Sequence, residues 1–228
     1  MTFIYDIGVL SFKVLTNLIC RIDATQLAKI PEKGPLIIVT NHVNIIEIPI
    51  VYTQLLPRPI IGLASAHRWE KSWSRWLLEL GEAIPLHRGE PDISAFRKAL
   101  RMLDNEKIIL IAPEGTRSGD GRLQKVHPGA VLLGLHSKAP LIPLVFYGAE
   151  GYRNNLIRLR RTDFRMKVGR QFTLDAGGAK VTKKVRQLMI DEVMYQLALQ
   201  LPPVYRGYYS EISKASQNYL RFERINRI

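Results

Sequence analysis

Residues 92–118 read DISAFRKALRMLDNEKIILIAPEGTRS, a helix, a strand and a turn in succession. Asp92 offers a side-chain N-cap, and Ile93, Phe96, Leu100 and Leu103 recur as the inward side of one helix. Ile108 to Ala112 is an uninterrupted apolar run, the pattern of a strand covered on both faces. Pro113-Glu114-Gly115-Thr116-Arg117-Ser118 then turns the chain. An amphipathic helix feeding a wholly apolar strand is the grammar of an α/β sheet.

The same alternation extends in both directions. Strands are expected at Leu36 to Thr40, Ile60 to Ala64, Ala83 to Leu86 and Leu141 to Tyr147, with one or two more within Phe164 to Leu174. Helices are expected at Pro49 to Leu56, Ser72 to Leu80, Ala130 to Ser137 and Lys180 to Gln200, the last ended by Pro202 and Pro203. No repeat and no linker interrupts the series. The expectation is a single α/β domain over residues 22–228, an open, mixed but mostly parallel sheet flanked by helices.

Composition narrows the function. The 228 residues are 46% apolar and 23% charged, an ordinary globular balance that excludes wholesale disorder and a bundle of membrane spans. Lys and Arg number 33 against 20 acids, a net charge of +13 that calls for an anionic partner: nucleic acid, a lipid surface, or a phosphorylated or CoA-type substrate. The single cysteine, Cys20, rules out an internal disulfide or a multi-cysteine metal site and fits a reducing compartment. Zinc-finger spacing, an RNP-like aromatic strand and a helix-turn-helix are all missing, so nucleic acid is not the expected partner.

Residues 1–21 stand apart. On a helical wheel Thr2, Asp6, Lys13, Thr16 and Asn17 share one arc, and the rest is almost wholly apolar, including Ile4, Ile7, Leu10, Val14, Leu15 and Leu18. That is broader than a core-facing stripe needs. It reads either as an amphipathic membrane-associating helix or as a terminal helix packed on the domain. No apolar run is long enough for a simple spanning anchor, and no signal-peptide pattern is present.

In open α/β sheets the ligand crevice lies beyond the carboxyl ends of the strands. Three predicted strands end in chemistry-bearing turns: Asn41-His42, His87-Arg88-Gly89, and the Pro113 to Ser118 segment. A histidine can take a proton, and guanidinium forks match phosphate oxygens. His42 and Glu47 are five residues apart, about 140° on a continuous helix. They can pair only if a turn intervenes. Pro49 favours a helix that starts near Glu47, which frees Val43 to Ile46 to fold back.

These residues, in order, resemble the glycerophospholipid acyltransferase family, the lysophosphatidate acyltransferases (1-acylglycerol-3-phosphate O-acyltransferases) of the bacterial PlsC type. Asn41-His42-Val43-Asn44-Ile45-Ile46-Glu47 is similar to the family's Asn-His-x4-Asp motif, Gly81 to Arg88 to its arginine-ending second motif, Pro113 to Ser118 to its Pro-Glu-Gly-Thr-Arg-Ser, and Leu141-Ile142-Pro143-Leu144 to its fourth. The resemblance implies His42 as general base oriented by Glu47. It implies an acceptor site formed by Asn41, Arg88, Glu114, Gly115, Thr116 and Arg117, with Pro143 shaping the crevice. It further implies acyl transfer from acyl-CoA or an acyl carrier protein to a lysophosphatidate-like acceptor in phospholipid synthesis, without a metal or other cofactor. Direct transfer needs no enzyme nucleophile, and no Gly-x-Ser-x-Gly elbow occurs. Glu47 replaces the family's Asp, and a shift of about 1 Å matters in an active site; an adjusted turn that preserves activity is the expectation, with an Asp at this position serving at least as well. Glu114 would repel phosphate if charged, so it is read as orienting an arginine or accepting from an acceptor hydroxyl.

Outside these motifs, Trp69, Trp73 and Trp76 mark one helical face, for core packing or an interfacial belt. Arg153 to Arg170 carries seven basic residues against Asp163 alone, suited to anionic headgroups or CoA phosphates, or merely solvated. His67, His127 and His136 are read as structural. The expected setting is the cytoplasmic side of the membrane, on an anionic surface. The alternatives are a related enzyme for another lysolipid or glycolipid acceptor, or a catalytically weak basic membrane adaptor.

Overall fold

The computed structural model describes residues 3–58, 60–70, 75–76, 78–79, 81–87, 92–126, 128–178 and 180–222. Its strands are β1 (Cys20–Asp23), β2 (Leu36–Thr40), β3 (Ile60–Ser65), β4 (Ile84–Leu86), β5 (Ile108–Ile111), β6 (Leu141–Tyr147), β7 (Thr162–Val168), β8 (Phe172–Leu174) and β9 (Leu220–Phe222). Its helices are α1 (Phe3–Ile19), α2 (Glu47–Leu55), α3 (Ile93–Asp104), α4 (Gly129–Ser137), α5 (Tyr152–Ile157) and α6 (Lys183–Gln200).

The described strands form one sheet in the order β1-β7-β6-β2-β5-β3-β4, with β8 pairing β6 and β9. β6, β2, β5, β3 and β4 are mutually parallel, whereas β7 runs antiparallel to β6 and carries β1 parallel to itself. The mixed, mostly parallel sheet is thus the expected one. β2 is its pivot: β5 flanks it on one side and β6 on the other, so the strand order reverses beside its carboxyl end.

Residues alternate between two cores as the pleat requires. Ile37, Val39, Ile109 and Val145 join α3, α4 and α6 on one face, while Leu36, Ile38, Ile108 and Leu144 join α2 on the other. Every residue of β2 is buried, which explains its unbroken Leu-Ile-Ile-Val-Thr run.

Asp92 caps α3 by accepting from Ala95 N at 2.9 Å, as its position foretold. The inward face, however, is Ala95, Ala99 and Leu103, with Phe96 and Leu100 at its margin and Ile93 exposed. Small residues in that row let the helix approach the sheet closely. β1, β9 and α5 were not anticipated, being too short or too polar to carry a periodic signal.

α1 packs along α2 and buries Thr16, yet Leu10, Val14, Leu15 and Leu18 are each more than half exposed. The helix therefore packs one side on the domain and leaves an apolar strip outside. It runs directly into β1, so the division placed at residue 21 falls inside a strand. No helix among the described residues is long and apolar enough to cross a membrane. Of the tryptophan face, Trp69 lies in the 3-10 turn Ala66–Glu70 and Trp73 outside the described residues. Trp76 is half exposed, its ring close enough to α1 that a side chain on Gly8 would meet it at 3.7 Å.

Candidate active site

β2 ends at Thr40, and the next residues build the site at the reversal point of the sheet. Asn41 is buried, and both ends of its amide are engaged: Nδ2 donates to Phe146 O (2.9 Å) while Oδ1 accepts from Phe146 N (2.8 Å). Sequence reading placed Asn41 among the acceptor-binding residues. Its side chain instead continues the β2–β6 pairing past the last backbone bond, which fixes where the following histidine stands.

His42 Nδ1 lies 2.9 Å from Glu47 Oε2, and the intervening turn forms as Pro49 required, with α2 starting at Glu47. Glu47 is 2% exposed. Its carboxylate also accepts from Val43 N (3.0 Å to each oxygen) and Asn44 N (2.9 Å). The longer side chain of Glu is accommodated by drawing the turn's backbone amides onto it. Because a carboxylate only accepts, His42 carries its proton on Nδ1 and leaves Nε2 as the basic atom.

Asn44 stitches the turn to its neighbour: Oδ1 accepts from Ile46 N (3.0 Å) and Nδ2 donates to Ala149 O (2.9 Å). From the other side, Ser118 N donates to His42 O (2.8 Å) and Gly119 N to Val43 O (3.1 Å). The segment after β5 therefore braces the segment after β2. Sequence reading missed both contacts; an asparagine just ahead of a helix start was the only signal for the first, and nothing local signals the second.

Gly115, Thr116 and Arg117 are exposed on that brace, with Gly115 at φ +64°, the left-handed conformation that glycine adopts freely. Glu114 is buried, and neither of its oxygens completes a hydrogen bond among the described residues. Burial pushes its pKa up to about 8, restrained by the backbone N–H of His42 and raised further by Glu47 and Asp120. At neutral pH the side chain is therefore a neutral acid. It has no charge to repel a phosphate and holds a proton to donate.

Arg88 and Gly89 lie outside the described residues. His87, exposed at the end of β4, pairs with Asp92 at the same five-residue spacing as His42 and Glu47: Nδ1 is 2.9 Å from Oδ2, which also accepts from His87 N at 2.9 Å. Backbone N–H groups of Ala95 and His87, with the His87 ring, hold Asp92 down to about 2. The sequence reading found the cap and overlooked the pair. Of the remaining histidines, His67 pairs with Glu70, His136 rests on Leu132 O and the edge of Phe96, and His127 lies outside the described residues. Pro143 sits within β6 opposite Val39, below the rim, where Gly169 N donates to its carbonyl.

A sequence model described as Acyltransferase matches residues 21–147, more than half of the chain. A 1-acyl-sn-glycerol-3-phosphate acyltransferase of Limnanthes alba is 32% identical over 128 residues, 54% of this chain and 45% of that protein. One of Bacillus subtilis (strain 168) is 26% identical over 139 residues, 60% of this chain and 68% of that protein. The chain thus spans about half the length of the plant relative and two thirds of the bacterial one. The crystal structure of the 1-acyl-sn-glycerophosphate (LPA) acyltransferase PlsC from Thermotoga maritima superposes with a TM-score of 0.57 at 18% identity, covering 83% of this chain and 77% of that one. That likeness is one of fold.

Proposed function

The chain belongs to the acyltransferase family, and on that premise we propose that it is a 1-acylglycerol-3-phosphate O-acyltransferase, moving a fatty acyl group from acyl-CoA or acyl carrier protein to lysophosphatidate and yielding phosphatidate for phospholipid synthesis. The observation that carries this reading is the His42 Nδ1 to Glu47 Oε2 bond of 2.9 Å at the carboxyl end of β2. It leaves Nε2 as the basic atom of a ring that is 22% exposed.

His42 Nε2 takes the proton of the acceptor hydroxyl as the oxygen attacks the thioester carbonyl. Glu47 holds the ring in the right tautomer and stabilises the imidazolium. The tetrahedral intermediate then collapses, the C–S bond breaks, and the proton passes from Nε2 to the leaving thiolate. An ester and a free thiol result, and no group of the enzyme is acylated.

Arg117 and Arg88 hold the acceptor phosphate, with Gly115 and Thr116 shaping the turn beneath it. Neutral Glu114 donates toward the acceptor. Asn41 acts by positioning His42. The exposed strip of α1 and the basic surface settle the protein on the cytoplasmic face of an anionic membrane, where the amphiphilic acceptor resides.

The test is acyl transfer by detergent-purified protein, with labelled acyl-CoA and acyl carrier protein as alternative donors and lysophosphatidate beside other lysolipids as acceptors. Phosphatidate formed by the native chain and lost in His42→Ala supports the reading. Full activity in His42→Ala sinks the mechanism, and product only from another lysolipid changes the acceptor.

A further inference from the structure

Residues 152–161 are used by no step above. They read Tyr-Arg-Asn-Asn-Leu-Ile-Arg-Leu-Arg-Arg and comprise α5 and the turn that leads into β7. Three apolar side chains stand out within four positions: Leu156 is 48% exposed, Ile157 81% and Leu159 94%. Leu159 has φ +52°, a backbone conformation that residues with side chains rarely adopt, and it displays its isobutyl group almost wholly to solvent. Single exposed leucines are commonplace, but a cluster fenced by charge is the signature of an interaction surface. Arg153, Arg158, Arg160 and Arg161 form that fence, and no acidic residue occurs from Gly151 to Thr162.

Two sets of contacts fix where this turn lies. Arg161 Nη2 donates to Asn17 O and Cys20 O, each at 2.7 Å, binding the turn to the carboxyl end of α1, where Leu18 is exposed. At the other end, the connection that feeds α5 is tied to the histidine loop by Asn44 Nδ2 to Ala149 O. The apolar turn, the exposed strip of α1 and the loop of His42 are therefore linked through short, direct bonds.

We propose that the Leu156 to Leu159 turn is a second membrane-docking element, its leucine and isoleucine side chains entering the headgroup and acyl boundary of an anionic bilayer while the surrounding arginines engage lipid phosphates. Apolar tips set among arginines match that boundary in both polarity and charge, whereas a protein partner would have to supply an acidic rim and an apolar pocket together. Docking by this turn and α1 brings the carboxyl edge of the sheet to the membrane surface, so an amphiphilic acceptor reaches His42 without leaving the bilayer. The inference deepens the membrane docking proposed above and rests on it.

The test uses the full chain with Ile157→Cys or Leu159→Cys carrying an environment-sensitive nitrobenzoxadiazole label. The native Cys20 is buried, and the parent protein taken through the same labelling reports any reaction there. Vesicles contain phosphatidylglycerol and phosphatidylcholine with a shallow nitroxide quencher. Labels at both positions are expected to shift to the blue and be quenched, while a label at Ser213→Cys, exposed on the α6 side of the sheet, stays in water. An Ile157→Asp, Leu159→Asp double variant is expected to bind vesicles about tenfold more weakly while transfer to detergent-dispersed acceptor is unchanged. Labels that remain in water on vesicle-bound protein overturn the proposal, as does a native chain that does not bind these vesicles. Shifted labels on a protein that makes no phosphatidate would leave docking standing and remove the enzymatic reading.

Discussion

Glu47, the first residue of α2, gathers three donors on one buried carboxylate: His42 Nδ1 at 2.9 Å and the backbone N–H groups of Val43 and Asn44 at 2.9–3.0 Å. The group that orients the imidazole also ties the turn that carries it. Changing that residue perturbs chemistry and backbone together.

Glu47→Gln retains shape but loses the charge that holds the imidazolium and weakens the acceptor for two amides. Acyl transfer is expected to fall on the order of 10⁴-fold, by analogy with neutralised orienting carboxylates. Stability should drop by about 1–3 kcal/mol, since the buried amides lose their full partner. Steady-state rates and urea unfolding on one preparation measure both.

Glu47→Asp reverses what the motif comparison alone anticipates. The turn is built around the longer side chain, and a carboxylate drawn back by about 1 Å loses either the imidazole or the amides, an error that can lower rates about a hundredfold. Activity equal to native would show that the turn re-forms around Asp.

Asn41→Ala removes both bonds to Phe146 and leaves that residue's buried N–H and C=O without partners. A loss of about 2–4 kcal/mol is expected from two such groups. Thermal denaturation should register it, together with a lower rate and little change in acceptor KM.

Glu114 keeps its proton in the folded protein up to about pH 8, whereas in the unfolded chain it is released near its ordinary value of 4.5. Between those values the folded state binds the extra proton, so stability declines as pH rises through that window and levels off above it. Glu114→Gln should flatten this dependence in denaturant midpoints taken across the window. In native protein, acceptor KM should rise above pH 8 as the new charge meets the phosphate.

Arg117→Ala is expected to raise acceptor KM by about tenfold to a hundredfold, the range of one charge-assisted contact to phosphate, and to leave the thermal midpoint within a degree or so of native because the side chain is exposed. A fall in the rate constant with KM unchanged would move Arg117 out of the phosphate site.

The alternation of apolar strands with amphipathic helices made the parallel part of the sheet legible from residues 36–147 alone, because buried parallel strands need continuous runs and their helices need a stripe. The His42 to Glu47 turn was legible too, since proline marks a helix start. Where local pattern is weak, the reading failed: four residues of Cys-Arg-Ile-Asp become β1 only because β7 offers an edge, and Ile93 is exposed because the sheet meets the alanine row of α3. The neutrality of Glu114, the engagement of Asn41 with Phe146 and the brace from Ser118 to His42 are properties of residues far apart in sequence. They arise from burial and from distances set by the sheet order, so tertiary structure alone decides them.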